Sequence, residues 1–286
     1  ANHTSAEHPF FIQAKADPGS ATRSLFSFDA NGNYRYAFNF VALPDMNSNN
    51  PLVRKIIVDM VRFWMERGVD GVRADIAGFT GLTTWEDVRY EIKQRNPEGI
   101  ALAELIPPQA EFFDQRFDLA YDSDTFHSMR DSLAGSGNLD NVDSALERAS
   151  TFFSRAASPR IREALEQKDL LWMRYLDNQD EDRFLLRAGN DLRRSRVGAS
   201  VLMTLPGVPL VYYGDEAGIA ELRGRMPFGA FSPGAQAMVD LYKKLILMRR
   251  HNWALRSHDN GGEGSAANTY IRINNNGDPG GGSVYS

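Results

Sequence analysis

Five stretches of this sequence read as buried strands, and each closes on a carboxylate. "GVDGVRADIAGF" (68–79) delivers Asp75, "GIALAELI" (99–106) Glu104, and "FDLAYD" (117–122) Asp122. "LLWMRYLDNQD" (170–180) delivers Asp180, and "VPLVYYGDE" (208–216) Asp215 with Glu216. Helical patterns separate most of these stretches. The repeated strand–helix order predicts an α/β chain with a parallel sheet and helices outside it. Asp75 and Glu104 lie about 30 residues apart, the length of one βα unit. Two acids so spaced fall at the C-terminal ends of neighbouring strands, and in an α/β barrel that end is where active sites form.

The first strand carries a further constraint. Side chains alternate along a strand, so Arg73 and Asp75 share a face, and charged residues are rarely buried unless paired. A cation beside Asp75 holds that carboxyl ionised. Acids after strands also cap the following helix, and Asp215 and Glu216 carry that reading from spacing alone. Asp75, Glu104 and Asp180, taken with Arg73, point to a carboxylate-based hydrolase.

Around these strands, "LFSFDANGNYRYAF" (25–38) predicts a hairpin turning at Asn31-Gly32. Asn50-Pro51 predicts a helix N-terminus, with Leu52, Ile56, Met60 and Phe63 as its apolar face and Gly68 as its stop. "TTWEDVRYEIKQRNP" (83–97) predicts a helix opened by a Thr83/Glu86 capping box. Further helices are expected over Asn138 to Phe153, Ser158 to Gln167, Asp191 to Leu205 and Ser232 to His251, with Leu202 and Met203 in the core. From Asp259 the chain turns rich in Gly and Asn, with one strand-like run, "NTYIRIN".

Composition excludes several classes. Of 286 residues, 42% are hydrophobic, enough for a core. The net charge of −5 with no basic block gives no footprint for nucleic acid or a membrane surface. The absence of cysteine removes disulfides, thiol nucleophiles and thiolate metal sites. No protein partner or compartment is implied.

At these same strand ends the sequence resembles the α-amylase family, glycoside hydrolase family 13. "DGVRADIAGF" is similar to the family segment G-x-R-x-D, whose aspartate is the nucleophile. "ALAELI" is similar to the strand carrying the acid/base glutamate, and "YLDNQDEDR" to F-x-x-N-H-D, whose aspartate stabilises the transition state. "NHTSAEHPFF" resembles the segment that supplies a substrate-binding histidine. "LPDMNSNNP" resembles the motif before the fourth barrel strand, and "GVPLVYYGDE" the eighth strand. The six segments fall in the family's order over about residues 1 to 230.

The resemblance implies a (β/α)8 TIM barrel and a retaining cleavage of α-glucosidic bonds in α-glucans or maltooligosaccharides. Asp75 is then the nucleophile, Glu104 the general acid/base and Asp180 the transition-state stabiliser. His3, Arg73, Asn178 and Gln179 bind substrate or orient these acids. The chemistry asks for two carboxyl groups about 5–5.5 Å apart, with Glu104 raised toward ~6–7 by a drier setting. Gln179 stands where the family usually has His, a change worth ~1 kcal/mol if one charged hydrogen bond becomes neutral. No cofactor is required. A Ca2+ ion is the single candidate, with Asp45 as a remnant ligand, and Phe79 after Gly78 argues against it. Two alternatives use the same fold: a transglycosylase with the same residues, and a non-catalytic binding protein, against which the three acids count.

The resemblance also implies that the chain holds barrel strands four to eight. Residues 1–46 are then the end of the third-strand segment and a small domain B, 47–258 the barrel portion, and 259–286 the start of a C-terminal β domain. Five strands do not close a barrel by themselves and leave two edges, so activity of the chain on its own is not implied.

Overall fold

The computed structural model describes residues 2–37, 40–152, 159–166, 171–252 and 255. The expected "NTYIRIN" strand, His258 and the chain from Asp259 lie outside the described residues. Two compact units emerge, one built on Ala1–Tyr121 with Ser158–Ala164 and the other on the remaining described residues.

The first unit opens with α1 (Pro9–Ala16), whose N-cap is His8; its ring nitrogen accepts the Phe10 N–H at 3.2 Å. The expected hairpin follows. Phe28 bridges Tyr34, the Asp29 carboxylate accepts the Asn31 and Asn33 N–H groups, and Gly32 adopts φ 85°. α2 (Pro51–Met65) starts as predicted, with Asn50 Oδ1 accepting the Leu52 N–H at 2.8 Å. Its buried face differs from the expected one. Val53, Ile57, Val61 and Met65 are buried, while Leu52, Ile56, Met60 and Phe63 are exposed. Both rows are apolar at helical spacing, so periodicity alone does not choose between them.

β1 (Gly71–Ala74) is shorter than its sequence pattern, because Ile76 turns into the left-handed region at φ 42°, ψ 58°. Phe79, expected in the strand, sits in the turn beyond it and is exposed. α3 (Leu82–Arg95) is capped by Gly81 rather than by the Thr83/Glu86 box; Glu86 pairs with Arg116 instead. β2 (Ile100–Ala103) and β3 (Leu119–Tyr121) complete three parallel strands, registered Arg73 to Leu102 and Ala103 to Ala120.

In the second unit the chain forms α4 (Ser123–Ala134), a helix that the sequence reading passed over. Asp122 caps it, its Oδ1 accepting the Thr125 N–H at 3.0 Å, and pairs with the buried Arg174. α5 (Leu139–Phe152) packs on α4. α6 (Pro159–Glu166), most of which belongs to the first unit, corresponds to the expected helix, whose end residues Ser158 and Gln167 lie outside the described residues. β4 (Leu171–Arg174) and β5 (Val208–Pro209) pair in parallel. α7 (Phe184–Arg187), α8 (Leu192–Thr204) and α9 (Pro233–His251) surround them. Leu202 and Met203 are buried as expected, Leu202 with Leu176 and Phe184, Met203 with Met238 and Tyr242. Among the described residues no helix is long and apolar enough to cross a membrane.

Gly71 sets how closely β1 and β2 approach. A Cβ there would collide with the backbone carbonyl of Ile100 and lie 2.8 Å from its nitrogen. Gly71→Ala is expected to cost about 1–3 kcal/mol, as overpacking does. Urea denaturation reads this directly, and an unchanged midpoint would show that the pair is not held that close.

Candidate active site

The strand ends of the first unit converge on one guanidinium. Arg73 Nη1 lies 2.5 Å from Asp75 Oδ1, and Nη2 lies 2.8 Å from Glu104 Oε1. Its Nε donates to the Tyr121 hydroxyl at 3.3 Å. Arg73 thus hydrogen-bonds through Nε and Nη1 and meets Glu104 through Nη2 as an ion pair without hydrogen-bond geometry, reaching its own strand, β2's end and β3. The register accounts for this: Ala74 pairs with Ala103, so Asp75 and Glu104 each stand one residue past the last pair. Burial alone would lower the pKa of Arg73, but Tyr121, Asp75 and Glu104 outweigh it and raise the pKa above its ordinary value. The Asp75 side chain is 45% exposed and that of Glu104 17%. One carboxylate is open to an incoming molecule; the other is more enclosed.

The backbone adds a second hold. The Ile76 N–H donates to Glu104 Oε2 at 2.9 Å. Asn2, 2% exposed, donates its amide to the carbonyls of Asp75 at 3.0 Å and Ile76 at 3.3 Å. His3 follows Asn2 in sequence and bridges Asp45 in antiparallel fashion. Asp45 is buried, and burial raises its pKa against the pull of Arg35 and His3. A calcium cage needs six to eight oxygens. Among the described residues no three His, Asp or Glu side chains cluster to supply it. The described residues do not make that site.

In the second unit, the loop after β4 carries the other predicted residues. Asn178 is buried, and its Oδ1 accepts the Asp180 N–H at 2.8 Å. Gln179 donates to Asp180 Oδ2 at 2.7 Å, and Arg223 Nη2 lies 3.3 Å from Asp180 Oδ1. Both oxygens of Asp180 are thus engaged while its side chain stays 52% exposed.

Arg183 is fully buried. Its Nη2 donates to the Tyr213 carbonyl at 2.6 Å and its Nε to that of Glu221 at 3.3 Å. Nη1 lies 3.3 Å from Asp215 and 3.6 Å from Asp177. The Tyr212 ring covers its plane at 4.2 Å. Tyr212 and Tyr213 are partly exposed, both rings lying over this cation. Sequence spacing gave no sign of Asn2, Ile76, Arg183 or Arg223 in these roles, because each acts across the chain on groups far away in sequence.

The chain is matched over residues 20–277 by the α-amylase catalytic domain. It belongs to the α-amylase family. It is 30% identical to the α-amylase MalA of Haloarcula japonica over 89% of its length and 35% of that protein's. It is 29% identical to neopullulanase 2 of Thermoactinomyces vulgaris over 75% of its length and 36% of that protein's. The chain therefore spans about a third of the length of these curated relatives. Among solved structures it is similar to the cyclic α-maltosyl-(1→6)-maltose hydrolase of Arthrobacter globiformis. There the TM-score is 0.76 at 23% identity, over 89% of this chain and 58% of that one. That likeness shows the α/β TIM-barrel type of the α-amylase family.

In this family member the Arg183 cluster carries a titration. Burial, then the Asp177 charge, pushes the Asp215 carboxyl well above its ordinary 3.8, and burial also raises Asp177. Two acids face one arginine, and the Asp215 carboxyl keeps its proton to a higher pH than a free acid does. The folded state holds that proton where the unfolded chain releases it. Stability from this group is therefore full below about 3.8 and falls as pH climbs toward the raised value. Asp215→Asn replaces the protonated acid by an isostere. Its stability at pH 5 is expected within about 1 kcal/mol of the parent, with a flatter decline up to pH 9. Melting temperatures across that range test this, and an unchanged pH slope would place the proton elsewhere.

Proposed function

We propose that this chain carries the reaction centre of a retaining glycoside hydrolase that cleaves α-glucosidic bonds in α-glucans or maltooligosaccharides. The observation that carries the reading is the bridge of Asp75 and Glu104 by Arg73 at adjacent strand ends. Two carboxyl groups on the two ends of one guanidinium are close neighbours, and retaining chemistry asks for about 5–5.5 Å between them. Asp75 is the more exposed and is held in an ion pair, as suits a nucleophile. Glu104 is the more enclosed and serves as acid, then base. Its contacts with Arg73 and the Ile76 N–H suit the carboxylate, the form needed when water is activated in the second step.

Asp180, with Asn178 and Gln179 shaping its loop, stabilises charge developing at the sugar ring. His3 contacts the sugar in the cleaved subsite. The activities named for MalA and neopullulanase 2 agree with an α-glucan substrate. A sugar acceptor in place of water turns the same residues to transfer. The five strands correspond in this reading to barrel strands four to eight, with residues 1–46 as the end of the third-strand segment and a small domain B, and 259–286 opening a C-terminal β domain.

Turnover of an aryl α-glucoside and of maltooligosaccharides tests the reading, on this chain and on this chain preceded by three upstream barrel strands. Asp75→Asn is expected to abolish turnover, and Glu104→Gln to reduce it by about 10²–10⁴-fold. Proton NMR of the first product is expected to show the α-anomer. A β-anomer would remove the retaining mechanism, and an active Asp75→Asn variant would remove the nucleophile assignment.

A further inference from the structure

Ile76 is the one β-branched residue among the described residues with a positive φ. At φ 42°, ψ 58° its Cβ crowds the backbone, and a bulky residue there is a true outlier. Such strain persists only where the surroundings over-determine it. Here the surroundings are specific. The Asn2 amide holds the Asp75 and Ile76 carbonyls, at 3.0 and 3.3 Å. Two carbonyl acceptors demand the amide nitrogen, which fixes how the Asn2 side chain is turned. On the other side of the turn, the Ile76 N–H meets Glu104 Oε2 at 2.9 Å, and the Ala77 N–H meets the Glu104 carbonyl at 2.9 Å. An extended Ile76 would swing the chain after it and carry the Ala77 N–H away from the Glu104 carbonyl.

We propose that Asn2 is a positioning residue. Its amide clamps the Asp75–Ile76 turn in the left-handed conformation, and the turn in turn aims a backbone N–H at Glu104 and sets the direction in which Asp75 leaves the strand. The role in turnover rests on the proposed glycosidase reading; the clamp itself does not. The Asn2 amide meets backbone carbonyls and not a carboxylate, so it acts through the turn.

The test exploits glycine, which adopts this conformation without the Cβ penalty. Asn2→Ala is expected to lower kcat by about tenfold with KM little changed. Asn2→Ala/Ile76→Gly is expected to recover at least about threefold of that loss. Asn2→Asp, which points an acceptor at two carbonyls, is expected to be worse than Asn2→Ala. Amide hydrogen exchange gives a readout independent of activity. The residue-76 amide is expected to exchange about tenfold faster in Asn2→Ala than in the parent, and to slow again in the double variant. If Asn2→Ala does not fold, Asn2→Ser, which keeps one donor, takes its place in both measurements. A double variant no better than the single one in exchange would overturn the clamp. A parent preceded by the three upstream barrel strands that shows no turnover but keeps this exchange pattern would instead sink the glycosidase reading and leave the clamp standing.

Discussion

A guanidinium set in a parallel strand must meet anions or remain a half-desolvated charge. Arg73 meets two carboxylates and a phenol, and its raised pKa shows those partners outweighing burial. The arrangement works only because three things coincide. The period of the strand puts Asp75 on the face of Arg73, the register puts Glu104 one step past the paired residues, and β3 ends on Tyr121. Moving any strand by one residue would turn its side chains to the opposite face. The ion pairs thus bind strand register to site geometry, and Gly71 keeps β1 and β2 close enough for one side chain to span both.

The second unit solves a related problem with a deeper charge. Arg183 is fully buried with Asp177 and Asp215, two acids for one cation. A second unpaired negative charge in that setting is costly, and this is why the Asp215 carboxyl is pushed well above its ordinary range. Asp177 also accepts the Phe184 N–H at 2.7 Å, so the cluster fastens the start of α7 as well as the segments at Tyr213 and Glu221. Asp177 and Arg183 stand on either side of Asp180 in sequence. The exposed acid is carried on a loop whose two ends share one buried ion cluster.

The sequence announced the acids, their order along the chain and the helix starts at Asn50 and Ser232, because those depend on local chemistry. It misjudged what depends on distant partners. On α2 two apolar rows compete, and packing selects Val53, Ile57, Val61 and Met65. Glu86 leaves its expected capping role for Arg116, reached across the fold. α4 was hidden because its cap, Asp122, also reads as a strand-end acid. In the site, Asp75, Glu104 and Arg73 were legible from alternation and unit length, and the structure brings these three together. Asn2 and Ile76 were not, since a backbone conformation leaves no mark on residue type; an isoleucine is the last residue one would assign to a left-handed turn.

The position next to Asp180 shows how a local substitution is absorbed by a distant group. Gln179 supplies a neutral hydrogen bond to Asp180 Oδ2 where the family pattern has a histidine. The opposite oxygen faces Arg223, which also donates to the Gln179 carbonyl at 3.0 Å and so holds the acid and its neighbour together. Arg223 reaches this place from a backbone with φ 57°, beside Gly224. A histidine charge at this spot would fade as pH rises past about 6.5, whereas an arginine stays cationic throughout. The pair is exposed, so in free solution it contributes little to stability. The positive charge beside Asp180 is nonetheless independent of pH across the neutral range.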